Sequence, residues 1–211
     1  MLVKNYKVTA MNWQELSALL ILATASSFTP GPNTTLSTAL AANFGLRRAM
    51  GFVCAVPVGW SLLLAFCSAG AGALILAVPV LRWGILLAGM AYLLWLAARL
   101  ANSRQLAQAD ASRLNVTFGK GVLLQFLNIK AWMLALSIVA AFVAGQADPL
   151  QRFLIILPVM VFFAFTSNLA YALVGSLLRQ WLAQGQRLLV FNRTMASALA
   201  LTAAWLLWSA L

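Results

Sequence analysis

The chain has 211 residues, of which 64% are hydrophobic and only 8% charged, whereas a soluble domain carries about 25% charged residues. It holds 14 Lys and Arg against 3 Asp and Glu, a net charge of +11, and no histidine. This composition excludes a soluble fold in favour of lipid as the solvent. It also argues against zinc sites, Ser-His-Asp triads and two-carboxylate chemistry, so no cofactor, metal or enzymatic activity is expected.

A transmembrane helix needs about 20 mostly apolar residues, and six such spans are expected, an all-α polytopic membrane fold. The polar start Met1–Asn12 does not read as a signal peptide, and Met11 is an alternative start. The first span runs from about Trp13 to Ala42 and is broken at Thr29-Pro30-Gly31-Pro32-Asn33. The second runs from about Met50 to Ile75 and the third from about Pro79 to Leu100, with the turn between them near Val78-Pro79. Residues 101–117 are polar and form a connecting loop. The fourth span covers about Phe118–Ala144, the fifth about Leu150–Leu178 and the sixth about Leu188–Leu211. Residues 13–100 and 118–211 thus form two halves of three spans in one membrane domain. An odd number of spans inverts the second half relative to the first, a common transporter plan.

The basic residues set the orientation rather than forming a nucleic-acid patch. Arg47, Arg48, Arg99, Arg104, Arg113, Lys120, Arg179, Arg187 and Arg193 fall on one side. Lys4, Lys7, Arg82 and Arg152 fall on the other. The positive-inside rule makes the first side cytoplasmic, places the connecting loop there, and puts both termini outside. Contact with anionic lipid headgroups is expected on the basic side. Trp13, Trp181 and Trp208, near span ends, read as interfacial anchors. Cys54 and Cys67 lie on roughly opposite faces of one span and are expected to remain unbridged thiols.

Three polar groups lie at membrane depth. In Thr29–Asn33 the prolines remove two backbone donors and the glycine permits a turn. Irregular backbone is tolerated there only where protein buries it or a wet cavity adjoins it. Asn33, Thr34 and Thr35 are expected to cap the half-helix that follows, whose N-terminus suits a carboxylate. The alternative is a simple proline kink. Lys130 lies about 15 Å along a helix from Lys120, near the midplane. It can meet a substrate carboxylate or carry a proton; otherwise it snorkels or bonds carbonyls of the broken span. Gln125 and Asn128 lie on nearby turns. Thr166, Ser167, Asn168 and Tyr171 either glue helices or line a cavity, and Asn168 is taken as a cavity candidate. The Gly84, Ala88 and Gly89 spacing reads as helix packing. No acidic residue lies deep in the membrane, so the proton-coupling candidates are Lys130 and, at the rim, Glu15.

With these motifs in view, the chain resembles the lysine exporter (LysE/RhtB) family of amino-acid efflux proteins over nearly its whole length. The resemblance rests on Thr29-Pro30-Gly31-Pro32-Asn33, Phe44-Gly45-Leu46-Arg47-Arg48-Ala49-Met50-Gly51 and Pro79. It continues through Gly89-Met90-Ala91-Tyr92-Leu93-Leu94-Trp95-Leu96, Phe118-Gly119-Lys120-Gly121 and Asn128-Ile129-Lys130-Ala131. The family's fourth span has Asn-Pro-Lys-Ala, so Ile129 leaves open whether that span is broken here. The resemblance implies export of an amino acid or derivative across a bacterial plasma membrane, driven by the proton gradient. The lack of intramembrane acids favours a neutral zwitterion over a dibasic substrate. The expected binding set is Pro30, Gly31, Pro32, Asn33, Thr34, Thr35, Gln125, Asn128, Lys130 and Asn168. A homodimer is allowed but not required. A membrane scaffold and a channel are the rival readings.

Overall fold

The computed structural model describes residues 11–70, 77–102 and 116–208. Lys4, Lys7, Arg104, Arg113, most of the expected loop and the expected ends of spans two and six near Ile75 and Leu211 lie outside them. Every regular element among the described residues is helical.

Helix α1 (Trp13–Phe28) starts on a capping box. Asn12 accepts from the Glu15 amide at 2.8 Å, and the Glu15 carboxylate accepts from the Asn12 amide at 2.9 Å. It stops because Pro30 drives Thr29 into extended backbone, φ −68° and ψ 128°. Helix α2 (Pro32–Phe44) restarts with proline at its first position, where the missing N–H costs nothing. Gly45, at φ 84°, ends α2 and turns the chain directly into α3 (Leu46–Ser68). Helix α4 (Pro79–Ala101) again opens on a proline after extended Val78, as expected for that turn.

The second half opens with α5 (Phe118–Leu127) and α6 (Ile129–Ile138), which meet at a bend of 69°. The helix expected over Phe118–Ala144 is therefore broken at Asn128, without a proline beside it. Asn128 leaves helical geometry at φ −94° and ψ 98°, and its side chain accepts the Lys130 amide at 3.2 Å. Trp132 donates its indole N–H to Phe126 O at 2.8 Å, supplying one carbonyl orphaned by the bend. Helix α6 widens into a π-turn, Val139–Val143. Helix α7 (Pro149–Leu182) is the longest element, and α8 (Arg187–Trp208) follows a short turn.

Among the described residues four helices, α3, α4, α7 and α8, are long and apolar enough to cross a membrane, and the bent α5–α6 pair makes a fifth if it is one span. Helices α1 and α2, with 16 and 13 residues, are each shorter than the roughly 30 Å hydrocarbon core. The outer surface is apolar, with Val80 80%, Leu177 81% and Leu201 70% exposed, a pattern lipid accommodates and water does not. Trp13, Trp181 and Trp208 are exposed at helix ends, and Arg187 stacks over Trp181 at 4.7 Å. Cys54 is half-buried rather than buried, Cys67 is buried, and both are free thiols.

Helix α7 packs on α1, α2 and α3; α4 packs on α8; α3 also packs on α5. Small residues permit the closest approaches: Gly89 of α4 lies against the Leu127 carbonyl and Gly175 of α7 against the Thr38 carbonyl, whereas Gly84 faces open space. Three hydrophobic clusters result, two of them large. One gathers Leu40, Phe52, Leu96 and Leu199 from α2, α3, α4 and α8. The other gathers Leu19, Trp60, Ile138, Ile156 and Met160 from α1, α3, α6 and α7.

Candidate functional site

The two helix breaks face each other. Asn33, at the start of α2, and Gln125, in the last turn of α5, exchange amide hydrogen bonds at 2.8 and 3.2 Å. Gln125 is fully buried and also donates to Gly121 O at 3.1 Å. From the other side of the bend, Lys130 Nζ donates to Thr29 O at 3.3 Å. Pro32 brings no N–H to Phe28 O, and Tyr171 of α7 fills that vacancy with its hydroxyl at 3.0 Å. Pro30 likewise brings no N–H to Ser26 O.

Between the breaks lies a cavity of about 70 Å³, lined by segments of α1, α2, α3, α6 and α7. At roughly 10–15 Å³ per water, it has room for about five waters or one small solute. Its polar lining comprises Ser26, Ser27, Thr29, Asn33, Thr34, Asn128, Ser167 and Asn168, and Lys130 is its sole charged residue. Gly31 also lines it, and a methyl group there would sit 3.3 Å from Lys130 Nζ, so glycine leaves the ammonium its place. The first backbone bond of α2 runs from the Thr35 amide to Gly31 O at 2.9 Å. The amides of Asn33 and Thr34 precede that bond and carry the partial positive charge of the helix N-terminus.

Of the residues expected from the sequence, Gly31, Pro32, Asn33, Thr34, Asn128, Lys130 and Asn168 line this cavity. Pro30, Thr35 and Gln125 do not. Pro30 makes the break, Thr35 is committed to the first turn, and Gln125 holds Asn33 from behind. The capping expectation needs correction: Gly31, not Asn33, is the N-cap, and the Thr34 hydroxyl turns back to accept the Gly31 amide at 2.9 Å. Glu15 stands away from the cavity lining. It is paired with Arg152 at 2.9 Å, and Arg152 also reaches Phe142 O at 3.4 Å. Arg152 is thus buried against protein rather than presented to headgroups. The polar cluster on α7 divides its labour: Asn168 accepts from Ser37 at 2.8 Å while lining the cavity, and Thr166 only bonds its own helix. Sequence reasoning missed Ser26, Ser27, Val56, Trp60, Ala131, Leu134, Met160 and Ala164, which complete the lining.

Two helix breaks thus share one cavity, holding a single lysine, inside an apolar bundle. The LysE type translocator family matches residues 24–210. This chain belongs to that family. Curated relatives include the cysteine/O-acetylserine efflux proteins of Salmonella choleraesuis (strain SC-B67), 27% identical over 165 residues, and of Escherichia coli (strain K12), 26% identical over 169 residues. Each similarity covers 78% of this chain and 84% of the relative. No solved structure matches this translocator. As a LysE-type translocator it is a transporter rather than an enzyme, and its apolar helices make it a multi-pass inner-membrane protein.

Proposed function

We propose that this translocator exports a small neutral amino acid, or a close derivative, by alternating access around the cavity between its two helix breaks. The observation that carries the reading is the convergence of Lys130 and the α2 N-terminus on one small cavity. A substrate carboxylate would take the Asn33 and Thr34 amides and the Lys130 ammonium. The substrate ammonium would take carbonyls at the end of α1, with Ser26 O the first candidate because Pro30 leaves it without its helical donor. A second positive charge on the substrate would face Lys130 with no acidic residue on the lining to offset it, which favours a zwitterion. The relatives, cysteine/O-acetylserine efflux proteins, support a neutral substrate of this size.

The same reading takes α1–α2 as one broken span and α5–α6 as its inverted counterpart, giving six spans in two inverted halves with both termini outside. Arg47, Arg48, Arg179, Arg187 and Arg193 lie at the ends of α2, α3, α7 and α8 that meet around Gly45, which would be the cytoplasmic end. Coupling to the proton gradient would run through Lys130, the one ionisable group on the cavity. Glu15 is engaged by Arg152 elsewhere. Rocking of one half against the other would open the site to each side in turn, and a homodimer is compatible with this scheme.

The test compares intracellular and external amino-acid pools in cells overexpressing the protein with those expressing Lys130→Ala. Selective external accumulation that disappears in the variant is expected. An unchanged profile across all amino acids would overturn the reading. In vesicles, saturable and pH-gradient-dependent uptake is expected of a carrier; non-saturating flux would indicate a channel.

A further inference from the structure

The cavity is not polar throughout, and its two ends differ in the same sense along α6 and α7. On α7 the lining residues Met160, Ala164, Ser167 and Asn168 follow a spacing that keeps them on one face. Polarity rises along that face, from Met160 to Asn168, over about 12 Å. Helix α6 runs antiparallel to α7, since the Phe142 carbonyl near its end meets Arg152 near the start of α7. Along α6 the lining passes from Asn128 and Lys130 to Leu134, so Leu134 lies towards the Met160 end. On α3 it comprises Val56 and, one turn later, Trp60. Trp60 and Met160 belong to the second hydrophobic cluster, against which Leu134 packs. Trp60 is 4% and Met160 1% exposed, so both are fixed in a packed wall.

We propose that Trp60, Leu134 and Met160 form the wall against which the substrate side chain seats, and that Met160 sets the upper limit on its length. The proposal rests on the export reading above. A zwitterion bound through its charged groups at the Lys130 end has its side chain directed to the other end. A short, uncharged side chain fits there. A longer one meets the packed cluster and must displace it. Met160 is the unbranched, adaptable member of the wall, and its truncation opens space without removing a polar partner. Ala164, half-buried one turn away on the same face, is where added bulk would shorten the seat.

The experiment measures export of a panel of serine, cysteine, leucine and phenylalanine by cells expressing the full chain, Met160→Ala, Met160→Leu or Ala164→Val, with membrane levels quantified for each. One methylene in an apolar pocket changes discrimination by about tenfold or more. Met160→Ala is expected to raise the leucine-to-serine export ratio by about that factor. Met160→Leu, which conserves volume, should move that ratio less than Met160→Ala does. Ala164→Val should lower cysteine export more than serine export, and it carries the test if Met160→Ala accumulates poorly. Wild-type export selective for short side chains, with ratios unmoved by both Met160→Ala and Ala164→Val, would overturn the wall assignment alone. Absence of selective export by the wild type would overturn the underlying site reading.

Discussion

Gly175→Ala gives a direct measure of how tightly the first half is clamped to the second. An added methyl would lie 2.9 Å from Thr38 C and 3.0 Å from Thr38 Cα, and closer still to its carbonyl oxygen. Carbon atoms prefer roughly 3.5–4.0 Å, so α7 must retreat from α2 by about 0.5–1 Å. Overpacking of this kind costs about 1–3 kcal/mol. The retreat also stretches the 2.8 Å bond between Ser37 and Asn168, two turns away on the same face of α7. Polar contacts between membrane helices contribute about 0.6 kcal/mol on average and about 1.7 at most. The total loss is about 2–4 kcal/mol. Gly84→Ala is the control: no atom lies within 4 Å of the added methyl, and alanine favours a helix over glycine by up to about 1 kcal/mol. Thermal unfolding in detergent should show Gly175→Ala lowered by about 5–15 °C and Gly84→Ala unchanged or raised, at about 2–4 °C per kcal/mol for a chain of this size. Equal midpoints for the two variants would refute the argument that α2 and α7 meet backbone to backbone at Gly175.

Two further experiments probe the same architecture. Ile129→Pro should change stability by less than about 1 kcal/mol and leave export intact, because residue 129 is the first of α6 and Asn128 is already extended; a large loss of folded protein would mean the α5–α6 bend has another shape. Asn43 and Asn192 exchange amide bonds at 2.8 and 3.0 Å, both buried between α2 and α8. A double-mutant cycle with alanine should yield a coupling of about 0.6–1.7 kcal/mol in unfolding, and additivity within about 0.3 kcal/mol would remove that pair from the account.

Much of the helical layout was legible because prolines and glycines punctuate it. Pro30 and Pro32 mark the first break, Gly45 the reversal into α3, and Pro79 and Pro149 the starts of α4 and α7. The second break was hidden because Ile129 carries no such mark; its cues are an asparagine able to cap and a tryptophan four residues on that reaches back to Phe126 O. The candidate site was half legible for a related reason. Lys130, Asn33 and Asn168 stand out as polar groups in apolar runs, while Val56, Trp60 and Met160 are indistinguishable in sequence from other lipid- or core-facing residues. The partners of Glu15 and Gln125 were also out of reach, since Arg152 and Asn33 lie 137 and 92 residues away.

The length of α7 has a mechanical consequence. Its 34 residues extend about 51 Å, and the stretch between Arg152 and Arg179 alone is about 40 Å, against a hydrocarbon core of roughly 30 Å. A rod that long would lean by about 40°, at the limit seen for membrane helices, or bow at Pro158 for Arg179 and the Arg152–Glu15 pair to sit at opposite edges of the hydrocarbon. Because α1, α2 and α3 all rest on it, any change in that lean would be carried to both helix breaks together. The thickness of the surrounding bilayer would then act as a spring on the transport cycle.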